Sequence, residues 1–178
     1  MKRLVLLWCF ITTSAFASTL NQWQGVPFPE FSLLDQHGEV RTNKDYTGRW
    51  LIVYFYPKDK TPGCTVEAQN FTDDYQLFKS LNTEILGVSY DDVDSHKEFA
   101  DLYNMPFSLL ADTEATLSKK LKVDRLLPWP HASRQTFLVD PSGKIVHHFA
   151  EVTPKKHSKE LLQLIKKLNQ STKKSQDS

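Results

Sequence analysis

Residues 51 to 71, Leu-Ile-Val-Tyr-Phe-Tyr-Pro-Lys-Asp-Lys-Thr-Pro-Gly-Cys-Thr-Val-Glu-Ala-Gln-Asn-Phe, restrict the fold more than any other stretch. Leu51 to Tyr56 is a short β-branched and aromatic run, which reads as a buried strand stopped by Pro57. A polar loop, Lys58 to Gly63, follows. From Cys64 onward, Ala68, Phe71, Tyr75, Phe78 and Leu81 fall on one helical face. A cysteine therefore stands where a central strand hands over to a helix. The first amides of a helix lack intrahelical partners, and the helix dipole adds partial positive charge there, so this position favours a thiolate over a thiol. Thr61 is placed to cap the helix with Pro62 at its first position, and Thr61 Oγ and Cys64 are expected to face one pocket. Lys58 and Lys60 add positive charge nearby. The alternative is a buried structural cysteine, the common fate of a lone Cys. The flanking Pro, Gly and Thr speak against it.

The string Tyr-Pro-Lys-Asp-Lys-Thr-Pro-Gly-Cys-Thr-Val-Glu-Ala, with Pro57-x-x-x-Thr61-x-x-Cys64 continued as Thr65-x-Glu67, resembles the active-site signature of peroxiredoxins of the Q type, the bacterioferritin comigratory proteins. The likeness runs from about Phe28 to Leu168. It implies a thioredoxin-like fold and thiol-dependent reduction of hydrogen peroxide and organic hydroperoxides, with no cofactor. It also implies a peroxidatic role for Cys64. By the same resemblance Thr61 Oγ hydrogen-bonds the thiolate or the peroxide, Pro57 shields the thiolate from water, and Glu67 orients an arginine. For Glu67 the competing reading is simple helix support near an N-terminus. The arginine is Arg134, just before the strand Gln135 to Asp140, which resembles the family's arginine-bearing strand. An arginine stays charged and offers a planar fork of donors to a thiolate and to charge developing on peroxide oxygens. A surface loop arginine is the alternative for Arg134, and Arg125 is a weaker competitor without the strand context.

One departure from the family pattern matters for mechanism. Many Q-type members carry a resolving cysteine five residues after the first, and this chain has Gln69 there. The chain has two cysteines, and the other, Cys9, lies in a targeting segment. Lys2 and Arg3 form its basic region. Leu4 to Ile11 is an apolar run too short to span a bilayer, and Ala15-Phe16-Ala17 is a cleavage site. An uncleaved anchor, a buried core helix and lipidation at Cys9 are the alternatives; Leu7 and Trp8 do not form a lipobox. Cleavage after Ala17 predicts an exported, periplasmic protein that starts at Ser18 and keeps Cys64 alone. The expected partners are a peroxide and an external thiol, which is a thioredoxin-like protein, a glutaredoxin or a small thiol. A thiol redox sensor that forms a mixed disulfide with a partner protein is the second reading. A thioredoxin-like reductase or copper carrier, which needs paired cysteines, is a distant third.

The rest of the chain fits one α/β domain, residues 18–170, after the 1–17 signal peptide and before a disordered tail at 171–178. A hairpin at Phe31 to Thr42 precedes the central strand. Further strands are expected at Glu84 to Tyr90 and Phe107 to Leu110, with a closing hairpin around Asp140-Pro141-Ser142-Gly143. Helices are expected at Ser95 to Tyr103, with Phe99 and Leu102 inward, at Thr113 to Leu121, and at Pro154 to Leu168. Together these predict a central mixed sheet flanked by helices. The net charge of +1 becomes −1 once Lys2 and Arg3 leave, which gives no reason to expect nucleic acid or an anionic membrane as partner. A monomer or weak dimer is expected. His147 and His148 are expected on opposite faces of a strand, which argues against a two-histidine metal site. His131 is read as a solvated loop residue. Leu126 to Pro130 is read as pocket wall, contact surface or local packing.

Overall fold

The computed structural model describes residues 22–176, and side chains as far as residue 171. The expected signal peptide, its cleavage site and Cys9 lie outside the described residues.

Every residue of β3 (Trp50–Phe55) is buried, so this strand has packed layers on both faces. Trp50, Ile52 and Tyr54 join Tyr56 in one apolar cluster, and Leu51, Val53 and Phe55 join another. That alternation is the strand's two-residue period read in three dimensions. The first cluster is completed by Cys64, Ala68, Phe71 and Phe78 of α1 (Pro62–Ser80), Phe99 of α2 (Val93–Tyr103), and Leu161 and Ile165 of α4 (Pro154–Gln176). The second takes Leu117 of α3 (Thr116–Lys120) and Phe28 and Phe31 of the N-terminal arm.

Seven strands form the sheet, in the order β2 (Val40–Thr42), β1 (Ser32–Asp35), β5 (Ser108–Ala111), β4 (Thr83–Ser89), β3, β8 (Gln135–Val139), β9 (Ile145–Phe149). The β3–β4 and β4–β5 pairs are parallel and the other pairs antiparallel. This is the expected mixed sheet flanked by helices, with the expected N-terminal hairpin as β1 and β2. The hairpin joins the sheet through β1 against β5.

One register positions the site. Phe55 pairs with Gln135 across the antiparallel β3–β8 ladder. Residue 134 therefore lies just beyond that ladder, where the chain leaves β3 for α1. Three expectations need correction, and one element was not expected. Leu102 is exposed, because α2 turns His96, Phe99 and Ala100 inward instead. The helix α3 is shorter than expected and starts after Ala115, its N-cap in left-handed conformation, while the Asp112 carboxylate accepts from the amides of Leu117 and Ser118. A small ribbon, β6 (Asp124–Arg125) against β7 (His131–Ala132), was not foreseen. Finally, α4 runs to Gln176, past the expected end at Leu168 and into the tail expected to be disordered. Among the described residues, no helix is long and apolar enough to cross a membrane.

Candidate active site

The helix α1 begins as its sequence suggests. Thr61 is the N-cap in extended conformation, Pro62 and Gly63 follow, and Cys64 is the third residue of the first turn. The Thr65 amide closes that turn on the Thr61 carbonyl at 2.9 Å. The amides ahead of it are left to point out of the helix start. Cys64 is 1% exposed, the free cysteine among the described residues.

Thr61 is the N-cap without the expected capping bond. Its hydroxyl makes no cap bond and instead donates to the Lys58 carbonyl at 3.0 Å, bracing the loop. No hydrogen bond joins Thr61 to Cys64 among the described residues. Both lone pairs of Thr61 Oγ remain available to accept. Pro57 ends β3 and is half-buried at the mouth of the same loop. Lys60 adopts a left-handed backbone, φ 59°, immediately before the N-cap. For a residue with a side chain this is a strained setting, of a kind that collects at functional sites.

Arg134 arrives from the start of β8. Its Nη2 donates to Cys64 Sγ at 3.1 Å, and its Nη1 donates to Glu67 Oε2. The planar fork thus bridges a sulfur and a carboxylate held one helical turn apart on α1. Gly63 allows this approach, since a Cβ there would lie 3.3 Å from Nη2. Glu67 is 1% exposed and lies beyond the first turn, on the buried face with Cys64, Ala68 and Phe71. The helix-support reading of Glu67 therefore fails. Burial pushes its carboxyl up to about 7, against the opposing pull of Arg134. Burial pulls Arg134 down, but Glu67 and Cys64 outweigh it and leave the guanidinium above its usual range.

Two further buried groups, which sequence reasoning missed, line this region. Tyr54 pairs with Thr136 across β3 and β8. Its hydroxyl is buried without a hydrogen-bond partner, as is Glu67 Oε1. Burial, then the charges of Glu67 and Cys64, hold the Tyr54 phenol well above its ordinary value. His157 Nε2 lies 2.8 Å from Thr136 Oγ1, while its Nδ1 has no hydrogen-bond partner. Burial, then Arg134, pushes His157 down to about 4. The structure places Tyr54 in the same apolar cluster as Cys64, Ala68 and Phe71 of α1. No sequence signal linked His157 to Arg134.

Other candidates fall elsewhere. Arg125 donates to the Asp124 carbonyl, and His131 Nδ1 lies 2.6 Å from the Trp129 carbonyl, both in or beside the small ribbon. Leu126, Leu127 and Trp129 are exposed, so the Leu126 to Pro130 loop is not part of the core, and Trp129 packs locally against His131. His148 stacks on Phe137 and its Nε2 lies 2.7 Å from Gln135 Oε1, whereas His147 packs against Phe149. Among the described residues no group of three His, Cys, Asp or Glu side chains is arranged to hold a metal. Gln69 is exposed on α1.

The arrangement presents a cysteine sulfur to a guanidinium that stays charged, at a helix start whose amides face outward. Those donors suit an anionic sulfur and an oxygen acquiring negative charge. Comparisons with known proteins point the same way. Residues 24–148 match the model of the AhpC/TSA family. Peroxiredoxin Bcp of Bacillus subtilis is 38% identical over 151 residues, covering 82% of this chain and 96% of that protein. A solved cysteine-to-serine mutant of PrxQ from Xylella fastidiosa superposes with a TM-score of 0.75 at 34% identity, covering 78% of this chain and 89% of that one. The bacterioferritin comigratory protein of Xanthomonas campestris, solved in work on its alkyl peroxide reduction activity, superposes with a TM-score of 0.72 at 32% identity, covering 76% and 90%.

Proposed function

The chain belongs to the AhpC/TSA family, among the peroxiredoxins of the Bcp or Q type, and from that premise we propose that it reduces peroxides through Cys64 alone. Thiol-dependent reduction of peroxides is the activity the family supports. The observation that carries the assignment to these residues is the Arg134 Nη2 to Cys64 Sγ hydrogen bond of 3.1 Å.

In the first step the Cys64 thiolate attacks one peroxide oxygen. An S–O bond forms, the O–O bond breaks, and the departing oxygen takes a proton and leaves as water or an alcohol. The sulfur, oxidised by two electrons, becomes a sulfenic acid. Arg134 stabilises the anionic sulfur before attack and the charge spreading over both oxygens during it. Glu67 holds the guanidinium against Sγ. Thr61 Oγ, its proton engaged by Lys58, accepts a hydrogen bond from the incoming peroxide. Pro57 limits water at the loop mouth.

No described residue offers a second thiol, and the position five residues on is Gln69. An external thiol therefore attacks the sulfenic sulfur, an S–S bond forms, and water leaves. A second thiol then breaks that bond and restores Cys64. A thioredoxin-like protein, a glutaredoxin or a small thiol fills this role, and hydrogen peroxide and organic hydroperoxides are the substrates. Export by removal of residues 1–17, and action as a monomer or weak dimer, belong to the same proposal.

The lack of a second thiol among the described residues favours a second reading, a redox relay that keeps its mixed disulfide with a partner instead of turning over. Steady consumption of hydrogen peroxide with dithiothreitol as donor separates the two. The proposal itself is tested by intact-mass spectrometry of the full chain and of Cys9→Ser after one equivalent of peroxide with a sulfenic-acid trap. A single adduct on Cys64 is expected in both. An intramolecular disulfide in the full chain contradicts the one-cysteine mechanism.

A further inference from the structure

The loop that delivers Cys64 is held down by a buried cluster which the chemistry above does not use. Asp59, 4% exposed, is at its centre. Its Oδ1 accepts from the Tyr56 hydroxyl at 2.8 Å, and its Oδ2 accepts from Ser95 Oγ at 2.8 Å and from His96 Nδ1 at 2.9 Å. Its own amide donates to Asp91 Oδ2 at 3.0 Å, and Asp91 is in turn held by Ser89 Oγ at 2.6 Å. His96 is wholly buried, and with Nδ1 donating, its Nε2 is left without a hydrogen-bond partner. At the surface of the same contact Lys60 Nζ pairs with Glu98 at 2.7 Å. The five-residue stretch from Pro57 to Thr61 is therefore tied to the first turn of α2 and to the end of β4, as well as to the helix it leads into.

The site makes two opposed demands on that loop. Attack on a small peroxide needs the first turn of α1 folded, because only then does Arg134 reach Sγ. Resolution by a separate thiol needs Sγ uncovered, and it is 1% exposed. The groups that hold the loop down decide how often it lifts.

Resting on the one-cysteine reading above, we propose that Asp59 is a positioning residue which, anchored by Tyr56 at the end of β3, clamps the loop ahead of Cys64 onto α2 through Ser95 and His96, trading peroxide reactivity against access of the external thiol. A buried carboxylate with three side-chain donors suits this role. Removing its charge leaves those donors facing a poorer acceptor, a loss felt strongly in a buried network.

The test separates the two half-reactions in the full chain. Oxidation of the reduced protein by hydrogen peroxide is followed by quenched flow with a sulfenic-acid trap. Reduction of the pre-oxidised protein is followed with dithiothreitol. Asp59→Asn is expected to slow oxidation by about tenfold or more and to speed reduction severalfold, the opposed changes of a loosened clamp. Damage to the whole fold slows both, so a parallel loss overturns the proposal, as does oxidation at the wild-type rate. Where thermal melting shows that Asp59→Asn does not fold, Ser95→Ala decides the matter. It removes one donor and is expected to give the same opposed shifts at smaller size, and unchanged rates overturn the proposal. A wild-type protein inert to peroxide refutes the peroxidase reading instead.

Discussion

Asp35 and Glu67 are both buried carboxylates paired with an arginine, yet they titrate in opposite directions. Asp35 lies under the turn of the N-terminal hairpin, fully covered but shallow. It accepts from the His37 amide at 2.8 Å, the Glu39 amide at 3.1 Å and Arg41 Nε at 2.7 Å. Burial pulls its carboxyl up, but Arg41 and the two amides together outweigh burial and hold it below its ordinary value. Glu67 has only Arg134, leaves Oε1 without a partner, and is pushed up to about 7 by burial. The difference lies in the supply of donors. Asp35 is over-supplied, so its charge is fixed and it stabilises the hairpin. Glu67 is under-supplied, so its charge depends on an arginine it shares with the Cys64 sulfur. A carboxylate kept short of donors costs stability, and such a deficit marks a site kept for chemistry.

The largest expected effect separates the two arginines. Arg134→Ala should slow oxidation of Cys64 by about two orders of magnitude or more, comparable to losing one oxyanion donor. Arg41→Ala should leave that rate within about twofold and lower the melting temperature instead. Equal rate losses would erase the distinction.

Next in size is the acid limb. The folded state holds His157 at about 4, below the ordinary 6.5 of the unfolded chain. Its contribution is present above pH 6.5 and lost as pH falls through 4, up to roughly 3 kcal/mol. Urea unfolding of His157→Asn across that window should be flatter than wild type by this amount, and a parallel curve would place the acid sensitivity elsewhere.

The carboxylates themselves should then show opposite slopes. Glu67 is raised, so its contribution is full below about pH 4.5 and lost as pH rises through 7. Asp35 is lowered, so its contribution is present above 3.8 and lost as pH falls through its folded value. At pH 8 Asp35→Asn should cost about 1–3 kcal/mol. Glu67→Gln should be neutral or stabilising there while slowing oxidation of Cys64. Slopes of the same sign would contradict the donor argument. The smallest effect is Gly63→Ala, which crowds Arg134 Nη2 and should slow oxidation severalfold with little change in melting temperature.

The sequence exposed local features well. The run Leu51 to Tyr56, the loop and the helix start are contiguous, so periodicity and cap chemistry predicted β3 and α1 closely. Glu67 was visible as an acid near Cys64, but its burial follows from the i, i+3 relation to Cys64 on the packed face. Arg134 needed the family resemblance, because 70 residues separate it from Cys64 and only the Phe55–Gln135 register brings it back. Tyr54, His157 and the Asp59 cluster were illegible for the same reason. Their partners come from other strands and helices, and a histidine or an aspartate in a polar segment carries no mark of the neighbour it will find. Thr61 shows the converse limit, a residue at the cap position whose hydroxyl turned to the loop instead.

The central claim is that the reactivity of Cys64 depends on one guanidinium spanning its sulfur and Glu67. Quenched-flow oxidation of wild type and Arg134→Lys by hydrogen peroxide tests it most directly. A lysine keeps the charge but offers no planar fork, so Arg134→Lys should be slower by about tenfold or more while melting near the wild-type temperature. A lysine variant as fast as wild type would show that charge alone suffices and that the bridging geometry is incidental.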